Sequence, residues 1–206
     1  MLKKVFFSFI LTLIALNMNA QEVKKLPQPD MKLQVTLTEA LQKRRSDREF
    51  NADKNITDQQ LSQLLWAACG VNRADRKLLT IPTAVNAQDI QVYVCCKDGV
   101  SLYQPYDNTL LKVTDTDVRE MLAERQANMK TAPLFLLIVS NQEKFRNGSE
   151  IYGAMDAGYS SQNICLMCAA LGLKTVPRAM MNKEKVAQAL GLNEKQILEL
   201  NHPIGY

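Results

Sequence analysis

Residues 133 to 139 read PLFLLIV. An apolar run of strand length, with no polar residue at alternate positions, belongs in the middle of a sheet covered on both faces. Two further extended stretches stand near it. IQVYVCC, residues 90 to 96, alternates as a strand does, and Asp98-Gly99 is a turn signal that would return the chain through VSLYQP. TVP, residues 175 to 177, is a short extended piece.

The cover must come from helices, and their ends are written locally. Thr36 and Glu39 form a capping box ahead of Leu37, Ala40 and Leu41. Thr57 and Gln60 start a second helix with a stripe of Leu61, Leu64, Leu65 and Ala68, and Gly70 is its natural stop. Residues 71 to 88 read as a loop. Thr116 is expected to cap a helix running through Glu124, with Val118, Met121 and Leu122 inward. Residues 153 to 171 form the most apolar helix, ended by Gly172. Its Gly153, Ala154, Ala157, Gly158, Ala169 and Ala170 predict very close packing against its backbone. Asn182 and Gly191 bound another helix, and Asn193 with Gln196 are read as starting a last one. Helices mixed with strands, a hairpin and no regular β-α-β repeat imply an α+β fold.

The first twenty residues stand apart. Lys3 and Lys4 precede VFFSFILTLIAL, and a short polar stretch ends at Ala20, the layout of a signal peptide. Cleavage after Ala20 is expected, with an uncleaved anchor as the alternative. Export would follow, to the periplasm or another extracytoplasmic space. Residues 21–35 read as a polar extension and 36–206 as one domain. No later apolar run is long enough for a bilayer, so no stable membrane insertion is expected once the leader is gone.

The chain has 25 Lys and Arg against 21 Asp and Glu. So even a balance argues against a dedicated nucleic-acid binder. Five cysteines, an odd number, exclude complete pairing within one chain. Cys165 and Cys168 form a CxxC inside an apolar run, where core thiols fit better than a redox pair. With His202 the one histidine, no zinc site is expected.

Against this even background RRSDREF, residues 44 to 50, packs three arginines into five positions. It can be a solvated helix end, a nucleic-acid patch or a socket for one anion. Guanidinium forks suit phosphate oxygens, and Ser46 adds a short donor, so a single phosphate monoester fits the cluster.

RRSDREF resembles the RRSxRxF opening of the nitroreductase-like flavoproteins, which include a SagB-type dehydrogenase branch. LSQLLWAACGVNR resembles that family's LLWAAxG helix, and IPTAVNAQDI its PSSxNxQPW loop. DAGYSSQNICLMCAALGLKTVP resembles DxGxxxQNxxLxAxxLGLGTxP, and HPIGY the terminal GYP or GHP stretch. The order of the motifs is kept over nearly all of the mature chain. The resemblance implies a mostly antiparallel mixed sheet flanked by helices, a homodimer whose long helices form its core, and FMN as cofactor at the subunit interface. It places Arg44, Arg45 and Ser46 at the FMN phosphate and Arg48 at the ribityl chain and flavin edge. Pro82, Thr83, Ala84 and Asn86 would line the flavin from the partner subunit. Val176 and Pro177 would lie against the ring, and Gln162 and Asn163 would hold their helix in place.

By the same resemblance, hydride passes from a small donor, NADH or NADPH, through the flavin to an electron-poor acceptor such as a nitroaromatic or a quinone. A SagB-like dehydrogenase acting on a peptide-derived ring and a non-catalytic flavin-binding module are the alternatives. Neither a dinucleotide glycine fingerprint nor a phosphate-binding G-x-x-x-x-G-K is present. Neither His202 nor any cysteine is expected to be catalytic. Three departures stand out: Thr83-Ala84 for paired serines, Asp89-Ile90 for Pro-Trp, and an ending at Gly205-Tyr206. Arg178 is a candidate to assist the phosphate arginines, or a plain surface arginine.

Overall fold

A computed structural model describes residues 22–147 and 149–206. The leader read over residues 1–20 lies outside them. A sheet of seven strands runs through the molecule: β1 (Val23–Lys25), β4 (Ile90–Cys96), β5 (Gly99–Gln104), β6 (Thr109–Thr114), β7 (Leu134–Asn141), β8 (Lys174–Thr175) and β9 (Gln196–Gly205). Their spatial order is β1-β6-β5-β4-β7-β9-β8, and every pairing is antiparallel. A small hairpin, β2 (Val71–Arg73) with β3 (Leu78–Leu79), interrupts the stretch expected to be loop. The helices are α1 (Leu37–Lys43), α2 (Asp58–Cys69), α3 (Arg119–Ala123), α4 (Glu150–Leu171) and α5 (Lys183–Leu190). Among the described residues no helix is long and apolar enough to cross a membrane.

The PLFLLIV run is β7, central as its composition requires. Leu134, Leu136 and Ile138 face one core with Leu61, Leu64 and Leu65 of α2 and Ile164 of α4. Phe135, Leu137 and Val139 face a second core with Leu122 of α3 and Val186 and Leu190 of α5. Period-two alternation feeds both cores at once, so every position must be apolar. Both capping boxes form as expected, Glu39 N–H meeting Thr36 Oγ1 and Gln60 N–H meeting Thr57 Oγ1, each at 3.2 Å.

Four readings are corrected. The hairpin pairs Cys96 with Gly99, so Lys97-Asp98 make the turn and Gly99 begins the returning strand. Thr116 does not cap α3; its N–H turns back to Thr114 Oγ1, and the helix begins later, at Arg119. β6 was not foreseen at all. Asn193 and Gln196 bond each other as a cap would, yet the chain runs on as β9 beside β7. There the open edge of a buried strand needs its backbone groups paired, and that outweighs the helical preference of ILEL. The polar stretch before α1 is also less loose than its composition suggests. It supplies β1, buries Leu26, and ties Asp30 to Gln63 of α2.

Gly99 has φ +109, and a Cβ there would stand 2.1 Å from the Thr114 carbonyl oxygen. Gly99→Ala is therefore expected to lower unfolding stability by roughly 2 kcal/mol. A shifted urea midpoint at unchanged slope checks it.

Candidate functional site

The arginine segment leaves α1 at Arg44, whose N–H closes the last turn onto the Ala40 carbonyl at 2.9 Å. Its ψ of 123 turns the chain out of the helix. The backbone is then pinned to the edge of the sheet. Asp47 N–H donates to the Thr175 carbonyl at 3.0 Å and Asn51 N–H to the Tyr206 carbonyl at 2.9 Å. Asn128 Nδ2 holds the Arg48 carbonyl at 3.0 Å, and Phe50 buries its ring in the second core, to which Val176 also belongs. A fixed backbone thus carries largely exposed polar side chains.

Those side chains differ. Arg44 is half-buried, close enough to Cys165 of α4 to oppose the upward push of burial on that thiol. Arg45 is exposed and folds back, its Nε meeting both Asp47 carboxylate oxygens at 3.0–3.1 Å. Ser46 and Arg48 are exposed. Among the described residues, no hydrogen bond or ion pair satisfies the guanidinium of Arg44 or of Arg48. Unspent planar donors and a free hydroxyl on a rigid backbone suit a phosphate monoester.

β8 brings Val176 and Pro177 beside this segment through the Asp47–Thr175 bond. Val176 is buried in the core, which withdraws its side chain from any ring. Pro177 is exposed, so the surface offered at this point is Pro177 and backbone.

The loop holding Pro82, Thr83, Ala84 and Asn86 lies elsewhere. Ala84 N–H donates to Asp156 Oδ2 of α4 at 3.1 Å. Asp156 and Cys165, the latter within electrostatic reach of Arg44, are separated along α4 by roughly 13 Å at ~1.5 Å per residue. One chain therefore does not join the loop to the arginines. The loop is tightly wound: Val85, Asn86 and Gln88 all have φ between 50 and 56. Left-handed backbone costs roughly 1–3 kcal/mol at each non-glycine residue. It is held by Gln88 N–H to Thr83 Oγ1 at 3.0 Å, Gln88 Nε2 to the Lys77 carbonyl at 2.9 Å, and a short bond between the Tyr106 hydroxyl and Gln88.

In the Gln162-Asn163 pair the roles divide. Asn163 Nδ2 donates to the Ala67 carbonyl of α2 at 2.9 Å and holds the helix. Gln162 is exposed. The small residues divide too. A Cβ on Gly153 would meet Ser140 Oγ at 2.2 Å, but Gly158 has nothing within 4 Å.

Arg178 answers to neither reading made of it. It is 7 % exposed. Its guanidinium donates to the Leu122 and Ala123 carbonyls at 2.9 and 3.0 Å, to Asn201 Oδ1 at 2.8 Å and to Gln126 Oε1 at 2.8 Å. It closes the end of α3 with four of its five N–H donors spent. His202 is buried between Ser161 Oγ, 2.9 Å from Nε2, and Thr175 Oγ1, 3.3 Å from Nδ1. Burial pushes its pKa down to about 3, so it stays neutral. Burial raises the thiols of Cys165 and Cys168, which are core residues. Asp89 and Asp156 were not foreseen as partners. Asp89 replacing the family's proline was the one available signal.

Cavities of about 750, 360 and 270 Å³ open in the chain. The largest lies between β1, β4–β6 and residues 52–58, and its rim includes Lys24, Asp58, Lys112 and Arg119. None of the three includes an arginine of the segment, which stands on open surface.

The sequence pattern of the nitroreductase family matches residues 41–206. A provisionally named nitroreductase of Methanocaldococcus jannaschii is 30% identical over 193 residues, covering 86% of this chain and 93% of the relative. A solved structure from Ralstonia eutropha JMP134, also provisionally a nitroreductase, is 34% identical with a TM-score of 0.82, over 89% of this chain and 88% of that one. A Desulfovibrio desulfuricans structure of the same provisional name, in complex with FMN, shares the fold at 20% identity and a TM-score of 0.60, over 84% and 86% of the chains. With that family's pattern running over residues 41–206 and a relative 30% identical over 86% of this chain, the chain belongs to the nitroreductase family.

Proposed function

We propose that the protein is an FMN-dependent oxidoreductase that takes hydride from NADH or NADPH and reduces an electron-poor small molecule such as a nitroaromatic or a quinone. The observation that carries the reading is the pair of unspent guanidiniums, Arg44 and Arg48, on a backbone pinned to β8. FMN, when bound, supplies the two-electron chemistry. Arg44, Ser46 and, less freely, Arg45 hold the phosphate. Arg48 would hold a cation beside the flavin, where it would stabilise the negative charge of the reduced form. Pro177 and the backbone at Val176 border the ring. No side-chain acid is required, in keeping with a sealed, neutral His202.

Loop 82–88 completes the site from a second subunit in this reading. Exposed apolar side chains support such a dimer: Leu37 and Leu41 on α1, Ile151, Met155 and Tyr159 on α4, and Val85 on the loop. Gly158, open on α4, allows a close helix approach. Export by the leader over residues 1–20 remains part of the proposal, with FMN acquired outside the cytoplasm.

The test is a visible spectrum of the purified protein with added FMN, followed by anaerobic reduction with each nicotinamide. No flavin absorption retained on the protein would sink the reading. Arg44→Ala is expected to weaken FMN binding by about 2–3 kcal/mol, roughly 30- to 150-fold, and riboflavin binding far less. Arg45→Ala should lose less, because Asp47 already occupies that guanidinium. Equal losses for FMN and riboflavin would show that neither arginine holds the phosphate.

A further inference from the structure

One buried cluster stands outside the proposed flavin site but beneath its loop. Asp89 ends the loop, and its side chain is 0% exposed. One carboxyl oxygen accepts the Ser140 hydroxyl at 2.5 Å. The other, Oδ1, is buried without a donor. Asp156, 2% exposed, stands one residue short of a full turn beyond Gly153, which packs against Ser140. It reinforces the upward push on the Asp89 carboxyl, while its own Oδ2 receives the Ala84 N–H at 3.1 Å. Gln142 Nε2 closes the cluster, donating to Ser140 Oγ at 2.7 Å.

Among the described residues no cation forms an ion pair with either carboxyl. Loop 82–88 has no ionisable side chain. The end of β7 and the start of the turn after it offer Ser140, Asn141 and Gln142, all neutral, and the turn's Glu143 and Lys144 are exposed to solvent. Lys195 meets Gln142 through its backbone carbonyl. On β4, Tyr93 faces Gln196. On α4, Glu150 lies toward the helix start and bears on Glu199. Two adjacent carboxyls withdrawn from water cannot both ionise cheaply, and an oxygen lacking a donor beside a second carboxyl is where a proton belongs.

We propose that the Asp89 carboxyl carries a proton that it presents to Asp156, and that this bridge is the positioning device that holds the left-handed loop 82–88 in place. Its bearing on catalysis rests on the reading that this loop lines the flavin; the pair itself does not. Burial, opposed by the Ser140 hydroxyl and reinforced by Asp156, pushes the Asp89 carboxyl up to about 7. Above that pH the bridge is lost. Two buried negative charges then repel under a loop that reaches α4 through the Ala84 N–H, and the loop loosens.

Infrared spectroscopy of the wild-type protein without FMN tests this directly. At about pH 6, where ordinary carboxylates are ionised, the carbonyl band of a protonated carboxylic acid is expected. It should fade as pH rises through about 7 and be missing from Asp89→Asn. Over about pH 6 to 8.5, protection of the Ala84 and Gln88 amides, corrected for intrinsic exchange, should fall about tenfold in the wild type. It should stay level in Asp89→Asn, whose neutral amide mimics the protonated acid. Absence of the band from the wild type, its survival in Asp89→Asn, or loop protection that ignores its titration would each overturn the proposal. The wild-type titration stands even should the variant not fold. With FMN added, affinity should weaken across the same range in the wild type only. Loss of all FMN binding with the band present would overturn the flavin reading and leave the pair standing.

Discussion

Arg178→Met is expected to lower the unfolding free energy by about 3–5 kcal/mol, a large share of the 5–15 kcal/mol typical of a domain. The side chain reaches the Leu122 and Ala123 carbonyls, Asn201 Oδ1 and Gln126 Oε1. Methionine fills comparable space and donates nothing, so buried acceptors at the end of α3 are left without partners. Two backbone bonds between Arg178 and Asn201, at 2.9 and 2.7 Å, share the same ground. Arg178→Lys should recover little, because one ammonium cannot span a fork aimed at several acceptors. Urea unfolding at constant slope measures the loss. A methionine variant within about 1 kcal/mol of wild type would mean that these bonds only offset the cost of burying the charge, a cost visible in the lowered pKa of Arg178.

The second large effect is in the pH dependence, where two buried groups oppose each other. His202 has its pKa lowered from 6.5 to about 3 by burial. The unfolded chain takes up a proton there below about 6.5 and the folded chain refuses it. Its contribution is complete above about pH 6.5 and is lost as pH falls toward 3, by at most about 4–5 kcal/mol. Asp89 acts the other way, being raised from 3.8 to about 7. Its folded form holds a proton that the unfolded chain releases, so its contribution is complete below about pH 4 and lost as pH rises through 7, by at most about 4 kcal/mol. Between about pH 4 and 6.5 the two slopes nearly cancel in the wild type. Single variants should unmask them. His202→Gln is expected to gain stability as pH falls from 7 to about 4, and Asp89→Asn to lose it. Unfolding free energies across that range decide the matter, and parallel curves for the two variants would refute both assignments.

Much of the scaffold was legible because its causes are local. Thr36 with Glu39 and Thr57 with Gln60 cap helices through bonds three residues long. PLFLLIV announces a strand covered twice, since each residue meets one core or the other. The misreadings share a different cause. Asn193 and Gln196 make the local bonds of a helix start, but β7 needed a neighbour and took residues 196 to 205 as a strand. Thr116 lost its cap because α3 begins only where Val118 and Leu122 reach the second core.

The site divides along the same line. The sequence alone determined the family and the chemistry on offer, because motif order and residue type survive without coordinates. A cluster of guanidiniums around a serine has a composition suited to phosphate oxygens where it stays exposed. What each charged group actually does was decided by tertiary structure. Among the described residues no acceptor folds against the guanidiniums of Arg44 and Arg48, while Arg178 is consumed by carbonyls more than fifty positions away. Asp89 looked like a simple loss of proline until β7 and α4 brought Ser140 and Asp156 to it. Protonation and partnership depend on solvent exclusion and on which distant groups arrive, and those are properties of packing that no local stretch of chain carries.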